Sequence, residues 1–330
     1  MNLTPLQYFK KILSVFPEIA RQSGYPVAFL AWQFTKGYLR HRVQIDEFRT
    51  LRLYQYSGKM FDDYLTWKNS TRISDALNAG ATAEEIALFN DKHLFNRHFR
   101  EFIHRDWLYI PESTPEQIRE FITGHDAFLA KACTSTQGNN IFRYTAEELD
   151  PDQFLEEYAG KPFLLEAFIR QHPALAAINP SSVNTIRLIV ARKDDKVAFV
   201  GAGLRSGGGG QFVDNFHHGG TAYPIDLETG IITARGIDLD GNAVLRHPVT
   251  GYVMPGFRIP HWDLLLEQVR KASVMTPHIG YVGWDLAITE EGVEFIEGNI
   301  NYPGNNIIQL DGPGAYPRLK AFIKQIDLHI

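Results

Sequence analysis

The stretch Gly283-Trp-Asp-Leu-Ala-Ile-Thr-Glu-Glu-Gly-Val-Glu-Phe-Ile-Glu-Gly-Asn299 decides how this chain is read. Two largely apolar runs flank Glu290-Glu-Gly292, a three-residue loop with glycine where a left-handed backbone is wanted, so the segment predicts a β-hairpin. With Thr289 opposite Val293, Asp285 falls opposite Glu297, and strand alternation puts Asn299 on the same side as Glu297. Two carboxylates facing each other repel, and Leu286, Ile288, Phe295 and Ile296 are too apolar for a wet sheet edge. A divalent cation resolves the conflict. Oxygen donors without Cys or His suit Mg²⁺ or Mn²⁺ completed by substrate phosphates, and not Zn²⁺.

Asp285 in Gly-Trp-Asp, followed by Glu297-Gly-Asn299, resembles the Mg²⁺-binding Asp…Glu-x-Asn signature of the ATP-grasp superfamily. More narrowly, Val282-Gly-Trp-Asp-Leu-Ala-Ile-Thr289 and Ser182-Val-Asn-Thr-Ile-Arg187 are similar to the sugar-transfer-associated branch, which is related to α-L-glutamate ligases. The resemblance implies an α+β fold in which two α+β lobes clamp ATP. It places a small lobe at residues 105–165 and a large lobe with the metal hairpin at 166–330, both within an ATP-grasp domain at 91–330. Residues 1–90 form a mainly helical region in front of it.

The remaining sequence is read outward from this frame. Leu6, Phe9, Ile12, Leu13 and Phe16 recur at helical spacing, Thr82-Ala-Glu-Glu85 has the form of a capping box, and Ser113-Thr-Pro-Glu116 opens a further helix. No run before residue 105 reads as a parallel strand. Strands are expected at Ala127–Lys131, Ile141–Tyr144, Phe163–Ile169, Thr185–Ala191, Val197–Leu204, Thr221–Pro224 and Ile231–Ala234, and helices at Ala146–Tyr158 and Trp262–Ser273. The 330 residues suit two or three packed lobes. The net charge of −5 gives no general attraction to nucleic acid. A single cysteine, Cys133, excludes an intrachain disulfide and fits a reducing, cytoplasmic setting. The longest apolar run, Pro26–Trp32, is too short to span a bilayer. Lys10, Lys11, Arg21, Lys36, Arg40, His41 and Arg42 nonetheless make the first 42 residues basic, which admits peripheral contact with anionic lipid or an anionic partner.

Lys131 ends a strand before the small-residue loop Thr134-Ser-Thr-Gln-Gly138, an arrangement that neutralises phosphate while loop amides approach it. Ser135 and Gly138 are its candidate contacts. Glu166 lies in an apolar strand and needs a polar partner, either Lys131 or an adenine amino group. The resemblance implies that Lys92 of Asn90-Asp-Lys92 also reaches an ATP phosphate, and that Leu164–Ile169 is the hinge strand, with Glu166, Phe168 and Ile169 at the adenine. It implies that Arg187 and Arg205 face the γ-phosphate, and that Asn215 and His217 of Asp214-Asn-Phe-His-His-Gly-Gly220 line the acceptor cavity. A guanidinium suits phosphate because it offers bidentate hydrogen bonds and keeps its proton. The sequence departs from the family at two places: its loop carries only Gly138, and Gln171-His172 stands where a ribose-binding carboxylate is expected.

The implied activity is ATP- and Mg²⁺-dependent joining of a small or sugar-linked carboxylate to an amine through an acyl phosphate, in surface-polysaccharide or sugar-acid chemistry. An ATP-dependent phosphotransferase and a nucleotide-binding partner of a glycosyltransferase without turnover are the alternatives.

Overall fold

Helices dominate the chain up to residue 98 because their ends are written into it. Thr4 accepts from the Gln7 amide and opens α1 (Pro5–Ser23), which Gly24 closes at φ 78°. After α2 (Val27–His41), α3 (Ile45–Thr50) and α4 (Lys59–Asp62), Thr66 caps α5 (Trp67–Leu77). Thr82 and Glu85 form the expected capping box of α6 (Ala83–Asn90), and Asp91 caps α7 (Lys92–His98). This computed structural model describes residues 4–56, 58–135, 140–208, 219–238, 240–301, 303–310 and 314–329. Among them no strand precedes Trp107.

Then follow β1 (Trp107–Tyr109), α8 (Pro115–Gly124), β2 (Ala127–Ala132), β3 (Ile141–Thr145), α9 (Pro151–Tyr158), β4 (Phe163–Ala167), α10 (Pro173–Ala176), β5 (Thr185–Lys193), β6 (Lys196–Ser206), β7 (Thr221–Ile225), β8 (Gly236–Ile237), β9 (Ala243–Val244), α11 (Trp262–Ser273), β10 (Tyr281–Ile288), β11 (Val293–Asn299) and α12 (Tyr316–Gln325). Two expectations are corrected. The helix expected from Ala146 begins at Pro151, because the Asp150 side chain caps it there. The strand expected at Ile231–Ala234 reduces to single bridges, Ile231 to Arg258 and Ile232 to Ile225.

The strands form two antiparallel sheets, a four-stranded one in the order β1-β4-β2-β3 and a seven-stranded one in the order β11-β10-β5-β6-β7-β8-β9. In the small sheet, Phe128, Ala130 and Leu165 pack with Ile118, Phe121 and Phe154 from α8 and α9. Alternation turns Lys131 and Glu166 to the opposite face. The large sheet is covered on both sides. Leu188, Trp284, Leu286 and Phe295 share a core with Phe95 and Phe99 of α7's turn and with Leu265 and Val269 of α11. On the other face Ile189, Ala191, Val200 and Tyr281 share a core with Phe16, Leu30, Phe48 and Ile73 of the N-terminal helices. The helices and the large sheet therefore bury each other's apolar surface.

Candidate active site

The β10–β11 hairpin reaches its expected pairing by an unexpected route. Ile288 pairs with Val293 and Leu286 with Phe295, after which a bulge at Ile296 restores Asp285 to the position opposite Glu297. The bulge is what aims Glu297. Phe295 is buried in the core beside Trp284, so strict alternation would have sent Glu297 into that core as well. One extra residue returns it to the face of Asp285. Gly292 closes the loop at φ 155°, a value uncomfortable for any side chain, and not in the left-handed helical region expected of it.

Asp285 also pairs with Arg187 of β5 in register. The Arg187 guanidinium donates from Nε to Oδ1 at 2.5 Å and from its terminal nitrogen to Oδ2 at 2.8 Å, and a further nitrogen donates to the Pro303 carbonyl at 2.8 Å. Arg205 of β6 lies 3.2 Å from Oδ2 and donates to the Thr185 hydroxyl at 2.8 and 3.0 Å. The Asn299 amide is 3.4 Å from Asp285 Oδ2 and 3.3 Å from Glu297 Oε1. Burial would raise the Asp285 carboxyl, but Arg187 and Arg205 outweigh it and hold it below the usual range. Burial and then the neighbouring Asp285 push Glu297 upward. The repulsion expected between the two carboxylates is thus relieved in this structure by two arginines at Asp285.

On the small sheet, Glu166 of β4 is buried and receives hydrogen bonds from Asn96 at 2.8 Å and Arg105 at 2.7 Å, with a third contact from Lys131. Burial opposes its ionisation, yet Arg105 and Lys131 hold the carboxyl far below its ordinary range. Arg105 also binds Glu294 and the Phe295 carbonyl of β11. It thereby ties the small sheet to the hairpin that carries Glu297. Neither Arg105 nor Asn96 stands out in the sequence: one lies in an unpatterned segment and the other inside a helix. Only the pairing need of Glu166 pointed toward them.

Lys92 sits at the junction. Its ammonium donates to the carbonyls of Ser135 at 2.5 Å and Ala132 at 3.4 Å. Burial and the nearby Lys131 lower its proton affinity, while Glu297 is its strongest acidic influence. Ser135 closes a turn on the Ala132 carbonyl at 3.0 Å, and Phe168 lies under Arg143, 5.5 Å from its guanidinium carbon. Phe168 and Ile169 follow the end of β4 directly. Gly138, Asn215 and His217 lie outside the described residues. His172 spends its Nδ1 accepting from Ala174 at the start of α10, and Gln171 ties the Asn179, Ser182 and Asn184 backbone. Both side chains hold backbone at the place where the family resemblance implies a ribose-binding carboxylate. Cys133 is buried with its thiol pushed up to about 11, chiefly by burial, which makes it a poor nucleophile.

Among the described residues no cluster of three or more His, Cys, Asp and Glu gathers. The three oxygen-bearing side chains that do converge are Asp285, Glu297 and Asn299. Their donor chemistry fits a hard cation such as Mg²⁺, with the Asn299 amide turned to offer its oxygen.

The profile of the sugar-transfer associated ATP-grasp family matches residues 82–324. No curated protein matches the chain in sequence. Among solved structures, the chain is similar to the ATP-grasp ligase PsnB complexed with a minimal precursor, at 15% identity and TM-score 0.44, covering 72% of this chain and 61% of that one. It is similar also to N5-carboxyaminoimidazole synthase from Aspergillus clavatus in complex with ADP and 5-aminoimidazole ribonucleotide, at 14% identity and TM-score 0.43, covering 67% and 46%. The N5-carboxyaminoimidazole ribonucleotide synthetase from Thermus thermophilus gives 12% identity and TM-score 0.42, covering 66% and 47%. The chain thus spans about three fifths or less of the length of these three structures. With its two antiparallel sheets, the helical region in front of residue 82 and a family match over most of its length, the chain belongs to the sugar-transfer associated ATP-grasp family.

Proposed function

We propose that this protein is an ATP- and Mg²⁺-dependent ligase that joins a carboxylate, free or sugar-linked, to an amine and forms ADP. The observation that carries the reading is the meeting of Asp285, Glu297 and Asn299 with Arg187 and Arg205 on one sheet face, beside the Lys131–Glu166 pair that Arg105 ties to the same hairpin. In this reading the acceptor carboxylate oxygen attacks the γ-phosphorus of ATP, and the bond to the β-phosphate oxygen breaks to release ADP. The amine nitrogen then attacks the acyl carbon, inorganic phosphate leaves, and the nitrogen loses a proton.

Positioning and charge neutralisation carry such chemistry. Lys131 and Lys92 bind phosphate oxygens, and Glu166 fixes the Lys131 ammonium. Glu166, with the backbone at Phe168 and Ile169, receives the adenine. Arg205 and Arg187 stabilise the negative charge of the transferred phosphoryl group, each guanidinium holding its proton throughout. Asn215 and His217 would line the acceptor cavity. Asp285, Glu297 and Asn299 would hold Mg²⁺, which supplies charge neutralisation at the β- and γ-phosphates. The family description, sugar-transfer associated, supports an acceptor from sugar chemistry.

The test is to incubate the protein with Mg²⁺–ATP, hydroxylamine and a panel of uronic acids and amino acids. A hydroxamate formed one for one with ADP, and absent without Mg²⁺, is expected. A phosphorylated acceptor that resists hydroxylamine would replace the ligase by a phosphotransferase, and the absence of ADP with every acid would leave a nucleotide-binding protein without turnover.

A further inference from the structure

The helical periodicity of α1 is only half used by the fold. Ile12, Val15, Phe16 and Ile19 pack into the core, but Leu6, Phe9 and Leu13, spaced three and four residues apart, stand in solvent. On α2, Trp32 and Leu39 do the same, seven residues apart. These five side chains each expose 54–70% of their surface. They make up five of the seven large apolar side chains that are more than half exposed among the described residues. Scattered exposed leucines are ordinary, whereas a concentration on two consecutive helices marks an interaction surface.

The charge around these residues names the partner. Residues 4–42 carry Lys10, Lys11, Arg21, Lys36, Arg40 and Arg42 against Glu18 alone, in a chain whose net charge is −5. Lys10, Lys36, Arg40 and Arg42 are exposed. Lys36 lies 5.5 Å from the Trp32 ring and Arg42 lies 5.4 Å from the Tyr38 ring, so cations sit over aromatic faces that prefer the boundary between water and hydrocarbon. No helix of the described residues is long and apolar enough to cross a membrane. We propose that α1 and α2 form a peripheral docking face for an anionic lipid bilayer, with Leu6, Phe9, Leu13, Trp32 and Leu39 entering the interface and Lys10, Lys36 and Arg42 meeting headgroup phosphates, while Lys11 and Arg40 pair with Asp46 and Asp62. This inference stands apart from the ligase reading, since α1 and α2 carry none of the residues proposed for that site.

The experiment is co-sedimentation of the full chain with phosphatidylcholine vesicles, pure or doped with phosphatidylglycerol. The protein is expected to bind the doped vesicles, bind pure phosphatidylcholine weakly, and detach as salt is raised. Each basic residue near an anionic surface contributes roughly fivefold in affinity, so Lys10→Glu with Lys36→Glu should weaken binding at least about 20-fold. Phe9→Ser with Leu13→Ser should weaken it at least about tenfold. Because all four positions are exposed, the melting temperature should hold, which separates lost docking from lost folding. Trp32→Phe should abolish any blue shift of fluorescence on vesicle binding. Failure of the wild type to bind doped vesicles, or binding that ignores all these substitutions, would overturn the proposal. So would a concentration-dependent dimer that Phe9→Ser with Leu13→Ser dissolves without lipid, because the face would then be an interface between copies.

Discussion

Asp285 carries two demands at once, as a proposed metal ligand and as the counter-charge of buried Arg187 and Arg205. From sequence alone, replacing it with asparagine should relieve a repulsion and leave the free protein equally stable or slightly more so. The structure reverses that expectation, because Asp285→Asn removes the carboxylate charge that buried Arg187 grips through two hydrogen bonds. The cost is about 3–5 kcal/mol, read as a melting midpoint lower by at least about 5 °C. An unchanged midpoint would show that Arg187 does not depend on this pair. Lys131→Met should weaken ATP by about one to two decades; unchanged calorimetric affinity would remove Lys131 from the nucleotide site. Glu166 sets an acid dependence. Its carboxyl is held below the ordinary glutamate value of 4.5, so its contribution to stability is complete above that value and is lost as pH falls through the folded value. Glu166→Gln should lower stability at neutral pH by about 3–5 kcal/mol and flatten the decline between about pH 5 and 3. Parallel pH–stability curves for the two proteins would contradict this.

At the scale of elements, the hairpin was legible because glycine, alternating apolar residues and three oxygen donors all fall within one short segment. Its register was not. The sequence pairs Asp285 with Glu297 through a regular ladder from Thr289, whereas the chain pairs one residue away and recovers the match at the Ile296 bulge. A bulge leaves no local signature when the inserted residue is itself apolar. The link between the sheets was also hidden. Arg105 reaches Glu166 and Glu294 across separations of 61 and 189 residues, and no short-range pattern encodes that. Arg105→Met should leave buried Glu294 without its guanidinium and Glu166 with Lys131 as its remaining cation, and cost about 3–5 kcal/mol. Adding Glu294→Leu should recover part of that loss, a coupling that a thermal double-mutant cycle would read. Additive effects would mean that Arg105 is not a strut between the sheets.

On the scale of the whole molecule, the helical character of the N-terminal region was plain from its apolar spacing and caps, but its place was not. A division near residue 90 suggests a separable prefix. The shared core of Phe16, Leu30 and Ile73 with Ile189, Val200 and Tyr281 makes the prefix one wall of the large sheet. A chain beginning at Ala79 should therefore lose cooperative melting, and a sharp thermal transition in that fragment would refute the dependence. The central claim, that the cleft between the sheets is a Mg²⁺–ATP site centred on Asp285, Glu297 and Asn299, can be tested without knowing the acceptor. Calorimetric titration of ATP into the intact protein, with Mg²⁺ and again with a chelator, reads it directly. The account predicts binding with Mg²⁺ that the chelator weakens sharply and that Glu297→Gln removes while the fold melts cooperatively. ATP binding of equal strength in all three experiments, or none in the wild type, would contradict it.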